Sequence, residues 1–209
     1  MIPMKKKDLE IILQKLPPNP SPLVKLEQYC TPATIATDII FTAYLEDDIA
    51  DKVVLDLGSG TGIFAIGAKL LSAAEVFAVD IDGTALAVGE GYANALSLEI
   101  EFIQKDINEF NLGEYTSSVI DTVIQNPPFG AQRSAKGADR IFLAKALEWG
   151  KNVYSLHLSK TEEFIELLVN KLGGEIVWKK DYNFPINHMF NFHTKESVDY
   201  SVTLFKIKS

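Results

Sequence analysis

The residues most suggestive of chemistry are a glycine-rich loop and an acid that follows it. The loop is Asp56-Leu57-Gly58-Ser59-Gly60-Thr61-Gly62, at the end of the apolar stretch 53–57. Glycines there let the backbone turn tightly and approach a ligand. Asp80 ends the next apolar stretch, 24 residues after Asp56, where a carboxylate can accept both hydroxyls of a ribose. The combination predicts a nucleoside-cofactor site, with a glycine turn that binds no ligand as the alternative.

The same loop narrows the choice of cofactor. A nicotinamide-binding loop reads G-x-G-x-x-G, and its third glycine lets the following helix pack closely. In this chain Ile63 stands at the third position. Asp56, just before the loop, would repel a phosphate but suits an amino group. A ligand with a ribose and a cationic amino-acid end fits both features, and S-adenosylmethionine has both.

A second candidate group is the tetrapeptide Asn126-Pro127-Pro128-Phe129, directly after the apolar stretch 119–124. In an open parallel sheet, ligands bind beyond the carboxyl ends of the central strands. The Asn126 side-chain oxygen and the Pro127 carbonyl can accept hydrogen bonds from a planar amino group and aim its lone pair at a methyl group. Phe129 can stack on a flat ring or amide. A stiff Pro-Pro turn that only ends a strand is the alternative.

Short apolar stretches and helical patterns alternate between these residues. Strands are predicted at 53–57, 75–80, 99–104, 119–124, 152–156, 174–181 and 198–207, and helices at 5–16, 32–45, 63–72, 84–96, 137–149 and 161–171. Repeated strand–helix–strand units with apolar strands imply a parallel sheet that helices cover on both faces. The last two strands, with no helix between them, are expected to pair antiparallel at one edge. Residues 17–22, which contain four prolines, are the one linker candidate.

Composition sets further limits on the function. The chain has 209 residues and a net charge of −8, which excludes a uniformly basic nucleic-acid coat protein. From residue 129 onward, however, 12 basic residues outnumber 9 acidic ones. The single cysteine, Cys30, excludes an internal disulfide and a cysteine-based metal site, so we expect no metal and a reducing, cytoplasmic location. No stretch approaches the ~20 apolar residues of a membrane span.

With these motifs in order, the sequence resembles the class I S-adenosylmethionine-dependent methyltransferases, which have a Rossmann-like, mostly parallel seven-stranded sheet. It is more closely similar to the methyltransferase-like protein 5 family. That likeness rests on LEQYCTP at 26–32, QNPPFG at 125–130, VYSLH at 153–157 and FHTKESVD at 192–199. It implies one methyltransferase domain over 1–209, with a helical arm (1–50) closing over the cofactor and a catalytic core (51–209).

The resemblance also implies an activity and a partner. The family methylates N6 of an adenosine in small-subunit ribosomal RNA, which makes this chain an expected RNA adenine-N6 methyltransferase. Eukaryotic members work with a small zinc-binding adaptor, so such a partner is a possibility here. A protein glutamine-N5 methyltransferase is the first alternative, since it uses a similar site on an amide. A small-molecule methyltransferase and a non-catalytic subunit of the same fold are the others.

Residue roles carry over by position. The resemblance assigns Asn126, Pro127, Pro128 and Phe129 to catalysis, and Gln28, Thr31, Gly58, Gly60, Thr61, Asp80 and Asp106 to cofactor binding. Two basic groups could contact RNA phosphates. They are Arg133, Lys136 and Arg140 after the tetrapeptide, and Lys179, Lys180 and Lys195 further on. Solvated surface charges are the alternative for both groups. His157 is expected to be a structural, buried histidine.

Overall fold

Seven strands form one sheet in this computed structural model, which describes residues 4–22, 30–128, 137–187 and 197–209. The strands are β1 (Val53–Leu57), β2 (Glu75–Asp80), β3 (Glu101–Gln104), β4 (Ile120–Gln125), β5 (Gly150–Leu158), β6 (Glu175–Asn187) and β7 (Ser197–Lys208). Their spatial order is β3-β2-β1-β4-β5-β7-β6. The first five are parallel, and β7 runs antiparallel to both β5 and β6. The predicted mostly parallel, seven-stranded sheet with an antiparallel C-terminal edge is therefore confirmed.

In the described part of the chain, six α-helices cover the two faces of the sheet. They are α1 (Lys6–Leu13), α2 (Ala33–Leu45), α3 (Ile63–Leu70), α4 (Gly83–Ala95), α5 (Ala138–Trp149) and α6 (Glu162–Lys171). One buried core lies between the sheet and α1 to α4, and the other between the sheet and α5 and α6. Within the described ranges, no helix is both long and apolar enough to cross a membrane.

The central strands are almost entirely apolar because helices bury both of their faces. In β1, four of the five residues are buried, and Asp56 is the one carboxylate among them. Three strands are longer than their sequence patterns predicted, and β7 extends one residue further at each end. β5 begins at Gly150, directly after α5, and β6 continues to Asn187 because β7 pairs with it along its length. Charged residues on the outer strand β6 weaken the apolar pattern there.

The proline-rich stretch 17–22 is not a linker, contrary to its composition. The Asn19 side chain is buried, and its Nδ2 donates to Asp82 Oδ2 at 3.0 Å. The backbone N–H of Ser21 donates back to Asn19 Oδ1 at 3.0 Å. Asp82 is the N-cap of α4, where its other oxygen accepts from Thr84 N. The stretch is thus fixed against the start of α4.

Helix α4 lies unusually close to the loop that follows β1. A Cβ added to the buried Gly89 would lie 2.4 Å from the backbone oxygen of Thr61. At Gly91, one half-turn further along the same helix, an added Cβ would meet nothing within 4 Å. Gly89 is therefore required by the approach of two backbones, whereas Gly91 is only a poor helix former.

This pair gives a matched test of the packing. Gly89→Ala should destabilise the protein by about 1–3 kcal/mol, because the loop or the helix must shift. Gly91→Ala should stabilise it by about 0.5–1 kcal/mol through helix propensity alone. Urea unfolding followed by circular dichroism measures both. Equal effects of the two substitutions would contradict the close approach of α4 to Thr61.

Candidate functional site

A cavity of about 540 Å³ opens at the carboxyl ends of the central strands. Most of the residues predicted to bind the cofactor or the target amine lie on its wall. They are Thr31, Gly58, Gly60, Thr61, Asp80, Asp106, Asn126 and Pro128. Pro127 is buried and is not among the lining residues. These eight predicted residues, distant in sequence, therefore share one cavity.

The glycine loop is fixed to the neighbouring strand. The backbone N–H groups of Gly58 and Ser59 both donate to the Val79 carbonyl, at 2.8 and 3.0 Å. Gly58 has a positive φ of 74°, and a Cβ on it would lie 2.8 Å from the Phe142 ring. A Cβ on Gly60 would meet nothing within 4 Å. Open space for a ligand therefore lies above Gly60.

Asp80 lies at the end of β2 and joins the loop to the cavity. Its Oδ2 accepts from Gly60 N at 2.7 Å, and its Oδ1 accepts from Asp82 N at 2.9 Å. Burial is the largest influence and raises the pKa of this carboxyl, while these two hydrogen bonds oppose the rise. Each carboxylate oxygen has a further lone pair, so Asp80 can also accept hydroxyls of a ribose.

Asp56 occupies a different place from the expected one. It is 1% exposed and does not line the cavity. Its Oδ2 accepts from Ala65 N at 2.9 Å, which satisfies a free N–H in the first turn of α3. Its Oδ1 has no partner in the described parts of the chain. Asp56 therefore supports the loop from beneath, and its position offers no direct contact to an amino group in the cavity.

Asn126 stands at the opposite wall. Its Nδ2 donates to Thr31 Oγ1 at 3.1 Å, across 95 residues of sequence. Its Oδ1 is shielded from solvent and finds no hydrogen-bond partner among the described residues. A buried acceptor without a donor is uncommon in native proteins. A donor brought by a ligand would satisfy it.

A buried polar chain runs behind Asn126. The preceding residue, Gln125, donates through Nε2 to Ser155 Oγ at 2.9 Å, and Ser155 Oγ lies 2.7 Å from His157 Nε2. Burial lowers the pKa of His157 to about 3, so the ring is neutral. His157 is the buried structural histidine that the sequence predicted.

Asp106, which follows β3, also lines the cavity. Its Oδ1 accepts from both the backbone N–H and the Nδ2 of Asn108, each at 2.8 Å. Its other oxygen can accept from an amino group in the cavity, as the resemblance implies for an adenine.

Two of the three lysines in the second basic group, Lys179 and Lys180, do not form a shared basic surface. Lys179 is paired with Glu162 and Glu166 on α6, and Lys180 is paired with Asp38 on α2 at 2.6 Å. Because neighbouring strand residues point to opposite faces, the two lysines lie on opposite sides of β6. An acidic partner thus offsets the charge of each lysine, and contact of either one with RNA stays a prediction.

Arg140 is exposed on α5, and its guanidinium lies 4.7 Å from the Phe164 ring centre. Its RNA contact stays a prediction. Five other predicted site residues lie outside the described residues. They are Gln28, Phe129, Arg133, Lys136 and Lys195.

Some cavity residues had no sequence signal. Pro17, Pro18 and Asn19 form part of the wall, although their composition suggested a linker. Phe142, on α5, faces Gly58 and also lines the cavity. A helix-period pattern showed that Phe142 would be on a helix, but not that the helix would meet the glycine loop.

Comparison with known proteins identifies the family. Residues 34–152 match the methyltransferase small domain family. The zebrafish rRNA N(6)-adenosine-methyltransferase METTL5 is 36% identical over 97% of this chain and 98% of its own length. The chain therefore belongs to the methyltransferase small domain family and is a relative of METTL5. A crystal structure from Pyrococcus horikoshii, provisionally assigned to the RNA methyltransferases, superposes with a TM-score of 0.88. It is 37% identical and covers 99% of this chain and 98% of its own.

The residues present suit the methyl donor of this methyltransferase family, S-adenosylmethionine. Asp80 offers carboxylate lone pairs beside open space above Gly60. Two polar atoms of cavity residues, Ser59 Oγ and Asn126 Oδ1, are buried without partners in the described ranges. Gly58, Gly60 and Thr61 would hold the ligand's nucleoside part, with Asp80 on the ribose and Asp106 on the adenine amine.

The buried Asp56 makes stability depend on pH. Burial, and to a lesser extent the nearby Asp80, raises its pKa to about 7 in the folded protein from 3.8. The folded state therefore prefers the neutral carboxyl. This preference stabilises the protein fully below about pH 4, and the stabilisation is lost as the pH rises towards 7.

Asp56→Asn keeps an acceptor oxygen for Ala65 N but cannot ionise. The melting temperature of the variant relative to wild type should therefore increase from about pH 4 to about pH 7 and then level off. Differential scanning calorimetry across that range measures it. A difference that stays constant with pH would show that Asp56 does not titrate in this way.

Proposed function

We propose that this methyltransferase transfers a methyl group from S-adenosylmethionine to N6 of an adenosine in small-subunit ribosomal RNA. The observation that carries the proposal is the buried, unpartnered Oδ1 of Asn126 on the cavity wall. An exocyclic amine supplies the donor that this oxygen lacks. The near-complete overlap with a relative named as an rRNA N(6)-adenosine methyltransferase supports RNA as the source of that amine.

S-adenosylmethionine supplies an electrophilic methyl group on a sulfonium. The protein's contribution is to orient the nitrogen. Asn126 Oδ1 accepts one amine hydrogen, and the Pro127 main-chain carbonyl accepts the other. Proline has no N–H, and the stiff turn leaves its carbonyls available as acceptors. With both hydrogens held, the nitrogen lone pair points at the methyl group, and positive charge developing on nitrogen is stabilised.

The target base must leave its stack to reach this cavity. We assign Phe129 to stacking on the flipped ring. The family resemblance implies that Gln28 and Thr31, which precede α2 in the chain, contact the methionine end of the cofactor. We further propose a cytoplasmic enzyme. We also propose a small zinc-binding adaptor as a partner, because a chain with a net charge of −8 attracts RNA weakly on its own.

Two variants test the role of Asn126. Asn126→Ala should lower turnover roughly 100-fold, since it removes an acceptor that works in the transition state, while affinity for S-adenosylmethionine changes little. Asn152→Ala is the control, because Asn152 lies at the amino end of β5, away from the cavity, and its side chain donates to the Asp121 carbonyl at 3.4 Å. It should retain turnover.

The assay follows labelled methyl from S-adenosylmethionine into RNA and protein of the source organism, with mass spectrometry of nucleosides. N6-methyladenosine from wild type and Asn152→Ala, but not from Asn126→Ala, is the expected result. Label in protein and none in RNA would replace the proposal with glutamine methylation. Equal losses of turnover and cofactor affinity in Asn126→Ala would contradict its assigned role.

A further inference from the structure

Thr31 and the Asn126 side chain are joined by a hydrogen bond. Its hydroxyl accepts the Asn126 amide N–H at 3.1 Å, and Thr31 is buried with 7% exposure. The two residues are 95 positions apart in the sequence. Thr31 precedes α2, and Asn126 follows β4.

The orientation of the Asn126 amide decides whether the site can accept an amine. An amide presents an acceptor on one side and two donors on the other. In the structure the donor side meets Thr31, and the oxygen is left without a partner among the described residues. If the amide were reversed, its NH₂ would take the place of that oxygen. Two amino groups would then face each other, and neither could accept the other's hydrogen. Because the Thr31 hydroxyl can donate as well as accept, it fixes the place of the amide, while an amine donor in the cavity favours the orientation with the oxygen towards it.

The Thr31 hydroxyl is itself held in place. Pro32 follows it, which restricts Thr31 to extended backbone conformations. Pro32 is the N-cap of α2, and its carbonyl accepts from Ala36 N at 2.9 Å. The helix is anchored by Ile39 and Ile40, both fully buried. Because this hydroxyl precedes a well-packed helix, its position is fixed, and it can fix the side chain to which it is hydrogen-bonded.

We propose that Thr31 is a positioning residue, whose hydroxyl holds the Asn126 amide with its oxygen available to the target amine. The assignment rests on the proposed function. It differs from the contact with the methionine end of the cofactor that the family resemblance implies for Thr31. A cofactor contact sets affinity for the cofactor, whereas an amide anchor sets the rate of methyl transfer at saturating cofactor.

Three substitutions separate these roles. Thr31→Val keeps the shape and removes the hydroxyl, and Thr31→Ser keeps the hydroxyl. Thr37→Val is the matched control, because Thr37 is a fully buried threonine of α2 whose hydroxyl has no partner among the described residues. The same loss of a buried hydroxyl there leaves Asn126 untouched. Melting temperatures identify any variant that fails to fold, and Thr31→Ala then replaces Thr31→Val.

The first readout is kinetic, with RNA of the source organism and S-adenosylmethionine. Thr31→Val should lower kcat roughly tenfold, the cost of losing one buried hydrogen bond, with a much smaller change in KM for S-adenosylmethionine. Thr31→Ser should recover most of the rate, and Thr37→Val should match wild type. If Thr31→Ser is as slow as Thr31→Val, or if affinity for S-adenosylhomocysteine falls as much as kcat, the positioning role is overturned.

The second readout needs no substrate and so does not depend on the proposed function. The Asn126 side-chain NH₂ resonances, assigned in ¹⁵N-labelled full-length protein by comparison with Asn126→Ala, report the Thr31 hydrogen bond directly. Thr31→Val should shift them, while Thr31→Ser and Thr37→Val should not. Unshifted resonances in Thr31→Val would refute the contact. If wild type methylates no RNA and the shift is still seen, the proposed function fails while the anchoring of Asn126 stands.

Discussion

The position of β1 between β2 and β4 is the constraint on which the site depends. After β3 the chain crosses back over β1 and continues with β4 on its other side. The connections leaving β1 and β4 therefore diverge, and a crevice opens at their carboxyl ends. Gly58 follows β1, Asp80 ends β2 and Asn126 follows β4. Strands added in simple sequence order would carry the same residues but leave no crevice between them.

Buried hydrogen bonds turn this crevice into a fixed surface. Three residues of the glycine loop have no side chain to hold them by packing, so its shape depends largely on backbone donors. Val79 and Asp80 of β2 accept three of them, from Gly58, Ser59 and Gly60. Beneath the loop, Asp56 satisfies the start of α3. The raised pKa values of Asp56 and Asp80 follow from placing these carboxyls away from water. The buried carboxyls that fix the geometry of the site therefore lower the free energy of unfolding when they are ionised.

How far the sequence could predict this arrangement depends on the range of the interactions. The strands and the residues at their ends were predictable, because apolar stretches and the residues that follow them are local signals. The role of Asp56 was not, since its carboxylate meets a helix N–H rather than the cavity. The stretch 17–22 has the composition of a linker, but Asn19 is fixed by Asp82, 63 residues away. Contacts at such separations leave no periodic trace in one sequence.

For the same reason, counting basic residues in the sequence does not locate a surface that binds RNA. The C-terminal third has a basic excess by sequence, yet several of its lysines are already paired. Lys179 meets α6, Lys180 meets Asp38, and Lys206 is 3% exposed beside Asp48 and Glu46. A lysine buried against two acids attracts no phosphate, because its field is cancelled locally. Attraction to RNA must therefore come from basic residues whose charge is not cancelled in this way, or from a partner. A chain of net charge −8 then binds RNA through a few local contacts rather than through its overall field.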